Sequence, residues 1–355
     1  MSISIVKKFA TAGLVAAGLA LAGCGSSDNT ESAAADAPNG AEAISFNYGL
    51  VTADQYALYV AQDLGLFEKH GLAPKFTQFQ SGALLLSALK SKSIDVAAIG
   101  MGAVFALGQD TPLKIIAWDV NSSLAAGFVS KDSGLRSYSD VTKAGKIGVA
   151  TGSCAQVALY YLAKAAGTPY SDLDVANIPP AQAVNALRGG GIQSAVLWAP
   201  FIFQANDAGI KTVAYTTEWP PEGGFCPSFT AVRGDYLSAN AEVGKRLIDV
   251  QADALAAIEK DPSIAIKALM DRLNVSKSVA TRMFERVWKD HPTYAQQLDP
   301  SSPYSLASSN GLAAILTRGA EAFADLKVIP KPIDPKVIDE AVDASYLEAH
   351  EEAAR

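Results

Sequence analysis

"FTQFQSGALLLSALKSKSIDVAAIG", residues 76–100, holds one structural unit without interruption. FTQF reads as the end of a strand, Ser81-Gly82 breaks it, and apolar residues at helical spacing follow over 83–92. IDVAAIG, apolar from Val96 onward, then reads as a buried strand. Strand, helix and strand in so short a space predict a βαβ unit and a parallel sheet. Ligands of open parallel sheets sit beyond the carboxyl ends of the strands, where helices begin and present free N–H groups. Ser81 suits an N-cap and Gly82 lets a ligand approach the backbone, so this break is a candidate anion site. Taken alone, Ser-Gly is equally a plain helix cap.

Working outward, the strand ISFNYGL from Ile44, a helix from about Gln55 to His70 and the strand APKFTQF precede this unit. The helix should stop at GLFEKHGL, because Gly71 suits the left-handed position after a helix and Lys69 and His70 sit at its negative end. His70 is then a solvated cap. A second copy of the layout starts at Lys146. ALYVAQDLGLF (57–67) is echoed by ALYYLAKAAGT (158–168), and ALKSKSIDVAAIG (88–100) by ALRGGGIQSAVLW (186–198). The echoes lie about 101 and 98 residues apart in the same order, which predicts two related lobes.

Between the copies, LKIIAWDV (113–120) and AAGFVS (125–130) read as strands carrying the chain out of lobe one, and GGFCPSFTAV (223–232) as its return. Two crossings make a hinge. Beyond residue 232 the text is helical and is expected to clothe lobe one and brace its back. The predicted fold is α/β and two-lobed, with lobe one at 44–132 plus 232–355 and lobe two at 133–231.

The chain has 355 residues, 49% apolar and 18% charged, enough for two domains with real cores. Lys7 and Lys8, an apolar stretch Phe9 to Leu21 too short to span a bilayer, and Leu21-Ala22-Gly23-Cys24 resemble a bacterial lipoprotein signal. That resemblance implies cleavage after residue 23, a lipid on Cys24 and a place on the periplasmic or extracellular face, anchored rather than spanning. Residues 24–43, small and polar, read as a flexible tether. Loss of Lys7 and Lys8 takes the net charge from −7 to −9 (−7 − 2), which disfavours nucleic acid and favours a small-molecule partner. Cys154 and Cys226 remain in a compartment where thiols oxidise, and two states are open to them: a disulfide, or small apolar groups lining a pocket.

The second lobe's counterpart of Ser81-Gly82 is Pro179-Pro180, which donates no N–H. VATGSCAQVAL (149–159) offers donors instead, with Thr151, Gly152, Ser153 and Cys154 between strand and helix; its lobe-one counterpart is VTADQYAL (51–58). Hydroxyls, amides and helix ends would thus face one another with no Lys or Arg in these four loops, a setting for a small delocalised anion. Trp198, closing the strand SAVLW before Ala199-Pro200, places a flat apolar surface at the cleft edge.

YVAQDLGLFEKHGL, FQSGALLLSAL, SIDVAAIGMG and GIQSAVLWAP resemble the nitrate/sulfonate/taurine group of ABC-transporter substrate-binding proteins, over about residues 45–330. The resemblance implies a type II periplasmic-binding-protein fold whose two crossing strands form the hinge. It also implies a monomer that delivers solute to a membrane permease and its ATPase subunits, with no cofactor and no metal. The family's ligand loops fall on Thr52 to Tyr56, Gln80 to Gly82, Gly100 to Val104, Thr151 to Gln156 and Trp198 to Pro200. Ser81, Gly82, Gly102 and Ser153 would hold an anionic head. Tyr56 and Trp198 would line the tail, and Gln55 would donate from above; Ala103, Thr151 and Cys154 complete the set. Asp54, Asp119 and Phe225 are secondary candidates. The returning segment reads Pro227-Ser228-Phe229, without the carboxylates of the amino-sulfonate binders, which speaks against taurine itself.

Two further readings stand beside this one. Cys154 at a helix N-terminus has the setting of a nucleophile, yet needs a base, and His70, His291 and His350 all lie in helical or turn segments away from the strand ends. The pyrimidine synthases of thiamine formation resemble this chain distantly, but their cysteine-rich motif is missing. Tyr56, Trp118, Trp198 and Phe225 would also suit a neutral or aromatic solute such as a pyrimidine; nitrate and bicarbonate suit the amide donors as well.

Overall fold

The duplication is built as two five-stranded sheets with the same plan. The computed structural model describes residues 42–79, 82–131, 134–219 and 224–355. Its strands are β1 (Ile44–Val51), β2 (Leu72–Phe79), β3 (Val96–Ile99), β4 (Leu113–Asn121), β5 (Ala126–Ser130), β6 (Ile147–Val149), β7 (Val175–Asn177), β8 (Ser194–Trp198), β9 (Lys211–Tyr215) and β10 (Pro227–Arg233). The first sheet runs β2-β1-β3-β10-β4 and the second β7-β6-β8-β5-β9. In each, the first three strands are parallel and come from one βαβαβ copy. The fourth is antiparallel to its neighbours and is supplied by a crossing segment. The central strand β3, Val96-Ala-Ala-Ile99, is buried at every residue, which is why it shows no alternation.

The sheets therefore depart from the sequence reading in two respects. Each is mixed rather than parallel, because β5 and β10 run against their partners. The crossings also fall earlier than the expected boundaries at 132 and 231. β5 already pairs with β8 and β9 of the second sheet, and β10 from Pro227 pairs with β3 and β4 of the first. Each lobe thus depends on a strand that follows the other lobe in sequence.

The helix expected over 55–70 is two pieces, Tyr56–Asp63 and Leu66–Lys69, because Gly65 takes φ 64° between them. Lys69 and His70 share Asp253 at 2.7 and 2.8 Å, so His70 pairs with a carboxylate rather than standing in solvent alone.

The C-terminal helices do more than clothe the first lobe. Ala241–Lys260 lies on the Tyr56–Asp63 helix and buries Val243, Leu247, Val250, Ala254 and Ile258 at helical spacing. Lys277–Trp288 reaches the second lobe, where Arg282 pairs with Asp207 at 2.6 Å and Arg286 lies 3.8 Å over the Tyr215 ring. Leu312–Asp325 packs between the Gly102–Leu107 and Cys154–Ala165 helices, one from each lobe. Tyr161 donates to the Arg318 carbonyl at 3.1 Å and Tyr160 to the Asp325 carboxylate. Among the described residues no helix is long and apolar enough to cross a membrane.

Candidate functional site

The carboxyl ends of β1 and β3 meet those of β6 and β8 across the line between the lobes. The Trp198 indole N–H donates to the Thr52 carbonyl at 3.2 Å, joining β8 to β1. A Cβ placed on Gly102 would lie 4.0 Å from the Gly152 carbonyl, and one on Gly152 would lie 3.8 Å from the Phe105 ring. Gly100 has no room for a side chain: a Cβ there would stand 2.5 Å from the Pro227 carbonyl.

The loop between β6 and the Cys154–Ala165 helix is held by its own polar groups. Gly152 takes φ 75°, a conformation that favours glycine, and its N–H donates to Gln156 Oε1 at 2.8 Å. The Thr151 N–H donates to Asn177 Oδ1 at 3.0 Å, and its residue is exposed. Ser153 is the N-cap by position, yet its hydroxyl donates back to the Ala150 carbonyl at 2.6 Å, and no side chain caps this helix. The hydroxyl expected to hold an anion is thus already engaged, and the first N–H groups of the helix have no side-chain cap.

Cys154 and Cys226 are joined by a disulfide, 72 residues apart in sequence. It ties the start of the Cys154–Ala165 helix to the returning crossing. The crossings pair with each other beside it: Ser122 N–H donates to the Cys226 carbonyl at 2.9 Å, and Cys226 N–H donates to Ser123 Oγ at 3.0 Å. The returning crossing and the start of the Cys154–Ala165 helix are thus covalently joined.

In the first lobe, Asp54 is fully buried and accepts from the Ser122 hydroxyl at 2.6 Å, while its Oδ2 has no partner among the described residues. Burial pushes its carboxyl up to about 6. Gln55 Nε2 lies 3.4 Å from both the Ala98 carbonyl and Ser228 Oγ, and its Oε1 is likewise unpartnered. Asp54 thus ties the loop after β1 to Ser122 and Gln55 ties it to β3 and β10. Gly82 opens the Gly82–Lys90 helix, and a Cβ there would meet nothing within 4 Å. Ala103 is fully buried. Ser81 and Cys24 lie outside the described residues.

Two candidates are placed elsewhere than expected. Tyr56 is fully buried, its hydroxyl paired with His291 Nδ1 at 2.8 Å and its ring edge-on to Phe284 and Trp288. The first helical position turns it under the C-terminal helices, so it lines no tail. Asp119 accepts from Thr230 and Gln251 at 2.9 and 2.7 Å inside the first lobe and is pushed up to about 7 by burial. It borders a cavity of about 30 Å³ that Leu247 and Val250 also line, under the sheet rather than between the lobes. His291, read as remote from the strand ends, is the half-buried partner of Tyr56, and desolvation holds its imidazole down at about 4.

One cation is missing from the sequence reading. Arg318 places its guanidinium carbon 5.6 Å from the Phe225 ring centre, one residue before the disulfide. The next residue, Gly319, abuts Met101 so closely that a Cβ would overlap it, and Met101 is the N-cap of the Gly102–Leu107 helix. Nothing in LTRGAEAF distinguishes this arginine from a solvated one; only the packing of its helix between the lobes brings it to Phe225. Among the described residues no cluster of His, Cys, Asp and Glu is arranged to hold a metal ion.

A protein of Brucella abortus (strain 2308) named "Putative binding protein" is 27% identical over 279 residues, 78% of this chain and 83% of that one. The alkanesulfonate-binding protein of Xanthomonas axonopodis pv. citri, solved bound to MOPS, superposes with a TM-score of 0.67 at 21% identity, covering 85% of this chain and 99% of that one. The periplasmic nitrate-binding protein of Synechocystis PCC 6803 gives a TM-score of 0.67 at 17% identity, covering 90% of each chain. These likenesses establish the two-lobed periplasmic-binding-protein fold. With the NMT1-like family model matching residues 43–269, most of both lobes, the chain belongs to the NMT1-like family.

Proposed function

We propose that this chain is the solute-binding lipoprotein of an ABC importer, capturing a small organic anion, an aliphatic or aromatic sulfonate, between its lobes and delivering it to a permease. The observation that carries the reading is the meeting of strand ends from both lobes at Trp198–Thr52 and Gly102–Gly152, next to an uncapped helix start. A solute seated there is gripped from two sides, and closure is the signal a permease can read. The sulfonate class draws on the relatives named for sulfonates and on the donor character of the loops.

The catalytic alternative rested on a free thiol, and Cys154 is spent in the disulfide. The aromatic-solute alternative loses two of its four side chains. Tyr56 and Trp118 are fully buried, the latter donating to its own strand at Val120. Trp198 and Phe225 remain, half-buried.

A thermal-shift panel tests the reading: alkyl and aryl sulfonates, taurine, nitrate, bicarbonate and pyrimidines, each added to the purified protein. A bound ligand at 100 times its dissociation constant adds about 2.7 kcal/mol. A sulfonate raising the melting temperature and recovered unchanged supports the proposal; stabilisation by pyrimidines alone overturns the sulfonate class, and chemical alteration of the solute overturns carriage. Lipidation is tested separately by mass spectrometry of the native protein, where Cys24→Ser should abolish the acyl mass and release the protein from membranes.

A further inference from the structure

Resting on the proposed interlobe site, we infer that Arg318 supplies the counter-charge for the bound anion, so that the solute carries a single negative head group at the Phe225 end of the cleft. The five candidate ligand loops contain no Lys or Arg. Their amides and hydroxyls can orient an anion, but a desolvated charge is costly to bury, and a cation nearby lowers that cost. Arg318 is the arginine that the C-terminal Leu312–Asp325 helix carries to the junction of both lobes.

Three relations place it. Its guanidinium carbon stands 5.6 Å from the centre of the Phe225 ring. Phe225 adjoins Cys226, which is bonded to Cys154, the first residue of a helix of 12 residues that no side chain caps. On its other side, Gly319 is packed against Met101 and Val104 at the start of the Gly102–Leu107 helix. The cation is thus linked through Phe225 and the adjoining cystine to the uncapped helix start, and through Gly319 to the start of the Gly102–Leu107 helix.

Its hydrogen bonding points the same way. Arg318 Nε is buried and has no partner among the described residues, and no ion pair among them includes this side chain. Other arginines are paired with carboxylates: Arg233 with Asp95, Arg246 with Glu242, Arg272 with Asp63, Arg282 with Asp207. A buried donor on a charged group is costly to leave unmatched and asks for an explanation. A guanidinium near an aromatic ring keeps N–H groups along its edge, a fork that matches two oxygens of an oxyanion. One such fork neutralises one charge, which fits a sulfonate and disfavours a dianionic phosphate ester.

The test is calorimetry on the full chain purified in detergent, with butanesulfonate and its uncharged relative butyl methyl sulfone. The wild type should bind the sulfonate about 100-fold more tightly than the sulfone, as a charge-assisted pair demands. Arg318→Gln should lose about 30-fold for the sulfonate and nothing for the sulfone, with Arg318→Lys between. Equal sulfonate affinity in wild type and Arg318→Gln overturns the assignment while leaving the proposed function standing. Binding of neither compound by the wild type overturns the sulfonate reading and the assignment with it. Should Arg318→Gln fail to fold, the wild-type comparison decides alone: equal affinity for sulfonate and sulfone removes the need for a counter-charge.

Discussion

The indole N–H of Trp198 donates to the carbonyl oxygen of Thr52 across 3.2 Å, so the end of β8 in one lobe is tied to the end of β1 in the other. Trp198→Phe keeps a ring against Phe201 and deletes that donor. A net hydrogen bond is worth about 1 kcal/mol, so the closed arrangement should lose about fivefold in population and the solute about fivefold in affinity. Titration calorimetry with the solute found by the panel checks this, and unchanged affinity would show that closure does not use the bond.

The Cys154–Cys226 disulfide spans 72 residues, including most of the second lobe. In the chain-entropy account a loop of that size stabilises by about 4 kcal/mol. The double variant Cys154→Ala/Cys226→Ala should therefore melt about 10 °C lower. Reductant should lower the wild type by a similar amount and leave the double variant unmoved, as read by differential scanning calorimetry.

Stability should fall as pH rises from about 4 to 6. Asp54 and Asp119 have folded values near 6 and 7, above their unfolded value of 3.8, so in this window the folded chain holds more protons at both and loses stability as they are removed. His291, held down to about 4 from 6.5, acts oppositely and cancels one of the two. Asp54→Asn removes one downward contribution while keeping an acceptor for Ser122. It should be more stable than wild type at pH 8 by about 1–3 kcal/mol and nearly equal at pH 4, measured by urea unfolding.

Gly100→Ala would put a methyl 2.5 Å from the Pro227 carbonyl, backbone against backbone, where neither can turn aside. Overpacking of this kind costs about 1–3 kcal/mol, and here it pushes β3 from β10 at the mouth of the cleft. Both the melting temperature and the solute affinity should drop; Gly82→Ala, with nothing within 4 Å, should leave the stability within about 1 kcal/mol of wild type.

Much of the architecture was legible because it is written in local periodicity. Buried runs such as Val96–Ile99 and the amphipathic helices between them specify βαβ copies whichever way they later assemble, and the echo between 57–100 and 158–198 makes the two lobes visible. The mixed sheets were less legible. β5 and β10 look like any apolar strand, and which sheet accepts them depends on the register of strands about a hundred residues away.

The candidate site divides along the same line. Thr52, Gly102, Thr151, Gly152 and Trp198 could be placed together from sequence because each ends a strand or follows one within three residues, and strand ends of a parallel sheet share one edge. Tyr56 could not be oriented, since one step along a helix turns a side chain by about 100° and only the Lys277–Trp288 helix decides which side is core. Arg318 could not be found at all. By itself the sequence determined the repeat, the crossings and the strand-end loops, because these follow from hydrogen bonding and burial within short segments. The tertiary structure alone decided the cystine, the exchange of strands between sheets and the delivery of a remote arginine to the lobe junction, because each depends on packing between segments the chain keeps far apart.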